Sequence, residues 1–286
     1  MTSLRTEAPA LPGAPPPLPA TAAAPAPLPL GRALRRFALE VLIVGVLFAL
    51  LSLVGALAWG FWRGLMLAVH GNVPQDAAAM MEAIGRPGPL AVMAMSVLSV
   101  GGSALLAMAW RAPLRPGERQ ASAAALRRFT TWLLVLFTGA ATIIWSIVGA
   151  QVAAAFQETL QPSNLELVRG TMGRHPLLLV VFAVVLAPLY EELLFRRVLF
   201  RRLWCDGWPR LGMLLSGLLF ALMHEPPILG GKPLIAAAPL WLVYTGMGIA
   251  FAWVYRRTGS LWAAVLAHAL NNAFAIGMLL LFGIDA

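Results

Sequence analysis

The stretch PLLLVVFAVVLAPLYEELLFRRVLF, residues 176–200, decides how this chain folds. From Pro176 to Tyr190 it carries no charged side chain, and its apolar character resumes after Glu191 and Glu192. A helix crosses a bilayer with about 20 apolar residues, and this stretch is 25 residues long with only four of them charged. An ionisable side chain at mid-bilayer costs roughly 2.5–3.5 kcal/mol on insertion scales. Glu191, Glu192 and Arg196 inside such a helix therefore need a reason to be there.

Six further apolar stretches of spanning length lie around it, at about 37–62, 89–110, 129–152, 210–229, 236–255 and 260–282. Turn-rich or charged pieces separate them, among them Gly85 to Pro89, Arg111 to Pro116 and Pro226-Pro227 through Gly230-Gly231. Composition agrees. Hydrophobic residues make up 60% and charged residues 12%, with a mean hydropathy of +0.79. A soluble domain is about half apolar and about a quarter charged. The sequence predicts an all-α, polytopic integral membrane helical bundle of seven transmembrane helices. The stretch from Arg63 to Glu82 holds another apolar patch, which leaves an interfacial helix or an eighth crossing open.

Three parts follow: a disordered Pro/Ala-rich tail over 1–30, N-terminal transmembrane helices over 31–165, and a second transmembrane part over 166–286. The tail lacks the continuous apolar core of a signal peptide. With the N-terminus in the cytoplasm, alternate loops divide the basic residues 16 inside to 5 outside, the asymmetry that sets topology. The net charge of +9 would suit nucleic acid if it formed one face. It is instead split into short clusters between apolar runs, so the expected partner is the lipid bilayer and not nucleic acid. Arginine provides 20 of the 21 basic residues. That coding bias fits a GC-rich bacterial genome and hence a bacterial inner membrane. The single cysteine, Cys205, excludes an intrachain disulfide and a cysteine metal cage.

The polar residues that breach the apolar helices concentrate in the second half. Glu192 and Arg196 are four apart and stack on one helical face, where they can pair. Glu191 points about 100° away round the helix and is freer to face a cavity. Pro188 frees a backbone carbonyl one turn earlier. His224 follows Phe220 at i+4, and Asn272 follows His268 at i+4. Taken alone, the Glu/Arg cluster also reads as a helix-end ion pair, His224 as a satisfied core histidine, and His268 with Asn272 as interhelical glue. Glu40, nearer the end of its helix, is expected to snorkel to the interface.

Taken in order, Glu191-Glu192-x-x-x-Arg196, Phe220-x-x-x-His224 and His268-x-x-x-Asn272 resemble the CPBP family, the type II CAAX prenyl proteases and bacteriocin-processing relatives also called ABI proteins. The stretch Arg256-Arg257-Thr258-Gly259-Ser260-Leu261-Trp262 resembles that family too. The resemblance implies an intramembrane endopeptidase acting on a membrane-associated peptide or protein. Glu191 would be the general base and His224 would position the water. His268 and Asn272 would stabilise the oxyanion, with Glu192, Arg196 and Phe220 ordering the site. No cofactor is then required. The alternative is Zn2+ held by Glu191, His224 and His268, although no His-Glu-x-x-His helix is present. A non-catalytic immunity or scaffold member, or a transporter with a Glu/His proton path, would carry the same residues without cleaving anything.

Overall fold

The computed structural model describes residues 26–155, 162–227 and 234–283, and all regular structure among them is helical. We number the helices α1 (Leu30–Val69), α2 (Ala77–Ile84), α3 (Pro89–Arg111), α4 (Pro116–Leu126) and α5 (Phe129–Ala155). There follow α6 (Leu165–Met172), α7 (Pro176–Cys205), α8 (Pro209–His224), α9 (Leu234–Thr258) and α10 (Leu261–Phe282). Prolines at the first positions of α3, α4, α7 and α8 start these helices where a missing N–H costs nothing.

Six helices, α1, α3, α5, α7, α9 and α10, are long and apolar enough to cross a membrane. Their large side chains Leu42, Leu57, Phe137, Ile144 and Leu281 are more than half exposed, as lipid-facing residues should be. The chain is an integral, multi-pass membrane protein. The segment expected over 210–229 is shorter. It is helical only over Pro209–His224, about 24 Å at 1.5 Å per residue, because Pro226 and Pro227 cannot continue it. Residues 228–233 lie outside the described residues. The apolar patch after Arg63 forms the end of α1 and the eight-residue α2, which is too short to cross. Residues 1–25 of the expected tail also lie outside the described residues. Its last part is held in place, since the Leu28 N–H donates to Asp206 O at 3.1 Å and Trp208 Nε1 donates to Leu28 O at 2.9 Å.

At one end of α7 a set of ion pairs ties the two halves together. Glu40 is buried and accepts from Arg111 of α3 at 2.9 Å and from Arg202 of α7. The expectation that Glu40 snorkels is therefore corrected: two guanidiniums reach it inside the bundle. Arg197 donates to Ala112 O, Pro113 O and Glu118, and Arg201 also reaches Glu118. Burial alone would raise the pKa of Glu118. Hydrogen bonds from Arg197 and the Arg115 N–H, with the charges of Arg197 and Arg201, outweigh it and hold the carboxyl below its ordinary value. A lowered folded-state pKa stabilises above the unfolded value, about 4.3 for Glu, and that contribution is lost as pH falls through the folded value. The melting-temperature gap between wild type and Glu118→Gln in detergent is expected to be full near neutral pH. It should close only below about pH 4.3.

The contact between α8 and α9 is set by glycine. A Cβ on Gly217 would sit 2.8 Å from Thr245 O, and one on Gly248 would sit 2.7 Å from the Gly217 Cα. The two backbones approach so closely because neither position carries a side chain. Gly217→Val is expected to destabilise the bundle by about 1–3 kcal/mol, the usual cost of overpacking. Gly45→Ala, where nothing lies within 4 Å, should leave thermal unfolding in detergent unchanged or slightly raised.

Candidate active site

Helix α7 carries the two carboxylates and contains two π-helical stretches, Val181–Leu186 and Leu193–Phe200, a feature frequent at functional sites. In π spacing the carbonyl of Ala183 would pair with the N–H of residue 188, which proline lacks. Asn272 Nδ2 of α10 donates to that carbonyl instead, at 2.8 Å. One amide proton of Asn272 thus fastens α10 to the irregular part of α7, just before the glutamates.

Glu192 is fully buried and accepts from Arg196 Nε at 2.7 Å and Nη2 at 3.2 Å. Arg196, also fully buried, donates through Nη1 to Ser216 Oγ at 3.0 Å, and Ser216 donates on to Phe195 O at 2.9 Å. The guanidinium lies over the rings of Phe220, Phe195 and Phe251 at 5.2–5.8 Å, so aromatic faces replace the water it has lost.

The same Glu192 fixes a histidine. His268 Nδ1 lies 3.0 Å from Glu192 Oε1. An ionised carboxylate only accepts, so Nδ1 carries the proton and Nε2 faces the other way. Phe251 stacks on the His268 ring at 4.7 Å and 14°. His224, the last residue of α8, is held in a similar manner. Its Nδ1 donates to Phe220 O at 2.9 Å, and Tyr244 stacks on its ring at 4.6 Å. Next to it Glu225 closes the helix end, accepting from the Ser163 N–H at 2.7 Å and Ser163 Oγ at 2.6 Å.

Both free Nε2 atoms face one group. Glu191 Oε2 is 3.7 Å from His224 Nε2 and 3.9 Å from His268 Nε2. That oxygen is buried and accepts no hydrogen bond from the described residues. Three helices, α7, α8 and α10, therefore bring one carboxylate oxygen and two imidazole nitrogens to a point. The separations are too long for direct hydrogen bonds and suit a bridging water.

The expected residues are thus arranged in two layers. Glu191, His224 and His268 converge, while Glu192, Arg196 and Phe220 stand behind them. Asn272 borders α7 from the side of Ala183. Sequence reasoning did not find Ser216, Tyr244 or Phe251, nor Tyr190, whose hydroxyl meets Ser96 Oγ of α3 at 3.0 Å. Among the described residues no three His, Cys, Asp or Glu side chains are grouped as a metal site requires. The Oε2-to-Nε2 separations of 3.7 and 3.9 Å exceed the edge of a tetrahedral zinc set, about 3.4 Å for bonds of about 2.1 Å.

Comparison with known proteins falls on this part of the chain. Residues 173–274 match the family model "Type II CAAX prenyl endopeptidase Rce1-like", a range that contains all of the converging residues. A Bacillus subtilis (strain 168) protein named "Putative membrane peptidase YdiL" is 26% identical over 149 residues, which are 48% of this chain and 56% of that protein. The chain spans just over half the length of that relative. No solved structure matches the chain. Over residues 173–274 the chain is thus similar to the type II CAAX prenyl endopeptidase Rce1-like family.

Proposed function

We propose that the protein is an intramembrane endopeptidase in which Glu191 activates water to attack a peptide bond of a membrane-associated substrate. The observation that carries this reading is the meeting of Glu191 Oε2 with the Nε2 atoms of His224 and His268 at 3.7 and 3.9 Å. A water bonded to Oε2 and to His224 Nε2 would lose its proton to Glu191 while its oxygen attacks the carbonyl carbon. The resulting oxyanion needs donors. In its doubly protonated form His268 donates from Nδ1 to Glu192 and from Nε2 towards the site. In that form Glu191, Glu192, Arg196 and His268 sum to zero charge, the least costly total for a buried cluster. The second amide proton of Asn272 is a further candidate donor. The proton held by Glu191 then passes to the leaving amine, which balances the hydrolysis. No step is routed through a metal. The 16-to-5 division of basic residues between alternate loops supports a cytoplasmic N-terminus and a cytoplasmic start of α8.

Purified protein in detergent, given a prenylated C-terminal peptide and an unprenylated apolar leader peptide in H2 18O, tests this. A single new carboxyl terminus carrying one 18O is expected from one of the two probes. Undiminished cleavage by His224→Ala would sink the assigned geometry.

A further inference from the structure

The arginines at the end of α7 differ in how they are compensated. Arg36, Arg111, Arg197, Arg201 and Arg202 all reach Asp206, Glu40 or Glu118. Arg210 and Arg256 are exposed and have no acidic partner among the described residues. These two line a cleft of about 350 Å³ between the start of α8 and the end of α9, together with Gly207, Trp208, Pro209 and Leu211. Among the described residues no carboxylate lines this cleft, and Asp206, the nearest in sequence, is engaged by Arg36 at 2.9 Å.

The position of the cleft narrows what it can hold. Helix α9 is long enough to cross the membrane over Ala237–Thr258, so Arg256 stands where that helix leaves the apolar layer, at headgroup depth. Trp208 is anchored there by its indole N–H on Leu28 O, the amphipathic placement usual at a membrane interface. Measured along α8, Arg210 is about 21 Å from His224, so the cleft is separate from the Glu191 site. Two uncompensated guanidiniums beside apolar side chains suit a phosphate attached to a lipid. We propose that this cleft binds a phosphate-bearing anion, supplied by the headgroup of an anionic phospholipid of the surrounding bilayer.

Native mass spectrometry of the full chain in neutral detergent tests this, with dioleoylphosphatidylglycerol, dioleoylphosphatidylcholine and inorganic phosphate as probes. Phosphatidylglycerol is expected to bind more tightly than phosphatidylcholine. Its affinity should fall roughly thirty-fold in Arg210→Gln/Arg256→Gln. Arg257→Gln removes a neighbouring charge that does not line the cleft and should bind as wild type does. Displacement of phosphatidylglycerol by millimolar inorganic phosphate would identify a free-anion site and overturn the lipid source. Equal binding of both lipids, or an equal loss in Arg257→Gln, would overturn the site itself.

Discussion

Glu191→Gln is expected to lower the cleavage rate by about 10²–10⁴-fold, the range that a positioned general base contributes. The substitution keeps the size and shape of the side chain but removes the carboxylate oxygen that faces both Nε2 atoms, at 3.7 and 3.9 Å. Folding should not suffer, because Glu191 Oε2 accepts no hydrogen bond from the described residues. An amide there ends the burial of an unpaired carboxylate. The variant should therefore melt at or slightly above the wild-type temperature while losing activity. A variant that lost stability and activity in parallel would instead assign Glu191 to the scaffold.

The largest effect on stability is expected at Arg196. Both it and Glu192 are fully buried. Arg196→Met leaves the Glu192 carboxylate in the bundle interior with His268 as its one partner among the described residues, and removing one member of a buried pair costs about 3–5 kcal/mol. Replacing both, as Glu192→Gln/Arg196→Met, removes the stranded charge and should recover most of that loss, because Ser216 still has Phe195 O as an acceptor. Activity should not recover with stability, since His268 then faces a neutral amide at Nδ1 where it had an anion. Thermal unfolding of the two single variants and the double variant gives the coupling directly. Additive losses would show that the ion pair is not a unit.

What the sequence made legible was local or compositional. The apolar runs outlined the helices, and the i,i+4 spacing of Glu192 and Arg196 anticipated their pairing, even though α7 is π-helical from Leu193 to Phe200. The 100° offset between Glu191 and Glu192 likewise separates the carboxylate that pairs with Arg196 from the one that meets His224, although both reach His268. What stayed hidden depends on helices distant in sequence. Glu40 was misread because its partners Arg111 and Arg202 lie 71 and 162 positions away, and no local pattern announces them. Tyr244 and Phe251 read only as apolar positions of α9, although they stack on the two histidines. The Gly217–Gly248 approach left a faint trace as small residues among large ones. Helix α8 stops at His224 because two prolines follow within three residues, a stop that was visible but was placed five residues too late.

In the proposed reaction the Glu191 carboxylate, facing two histidines from α8 and α10, acts as the base. The most direct measurement is the initial rate of peptide cleavage by purified, chelator-treated protein, with wild type and Glu191→Gln run side by side. The wild type is expected to retain its rate without added zinc while Glu191→Gln falls by about 10²–10⁴-fold. Loss of wild-type activity on chelation with recovery on adding zinc, or equal rates for the two proteins, would contradict it.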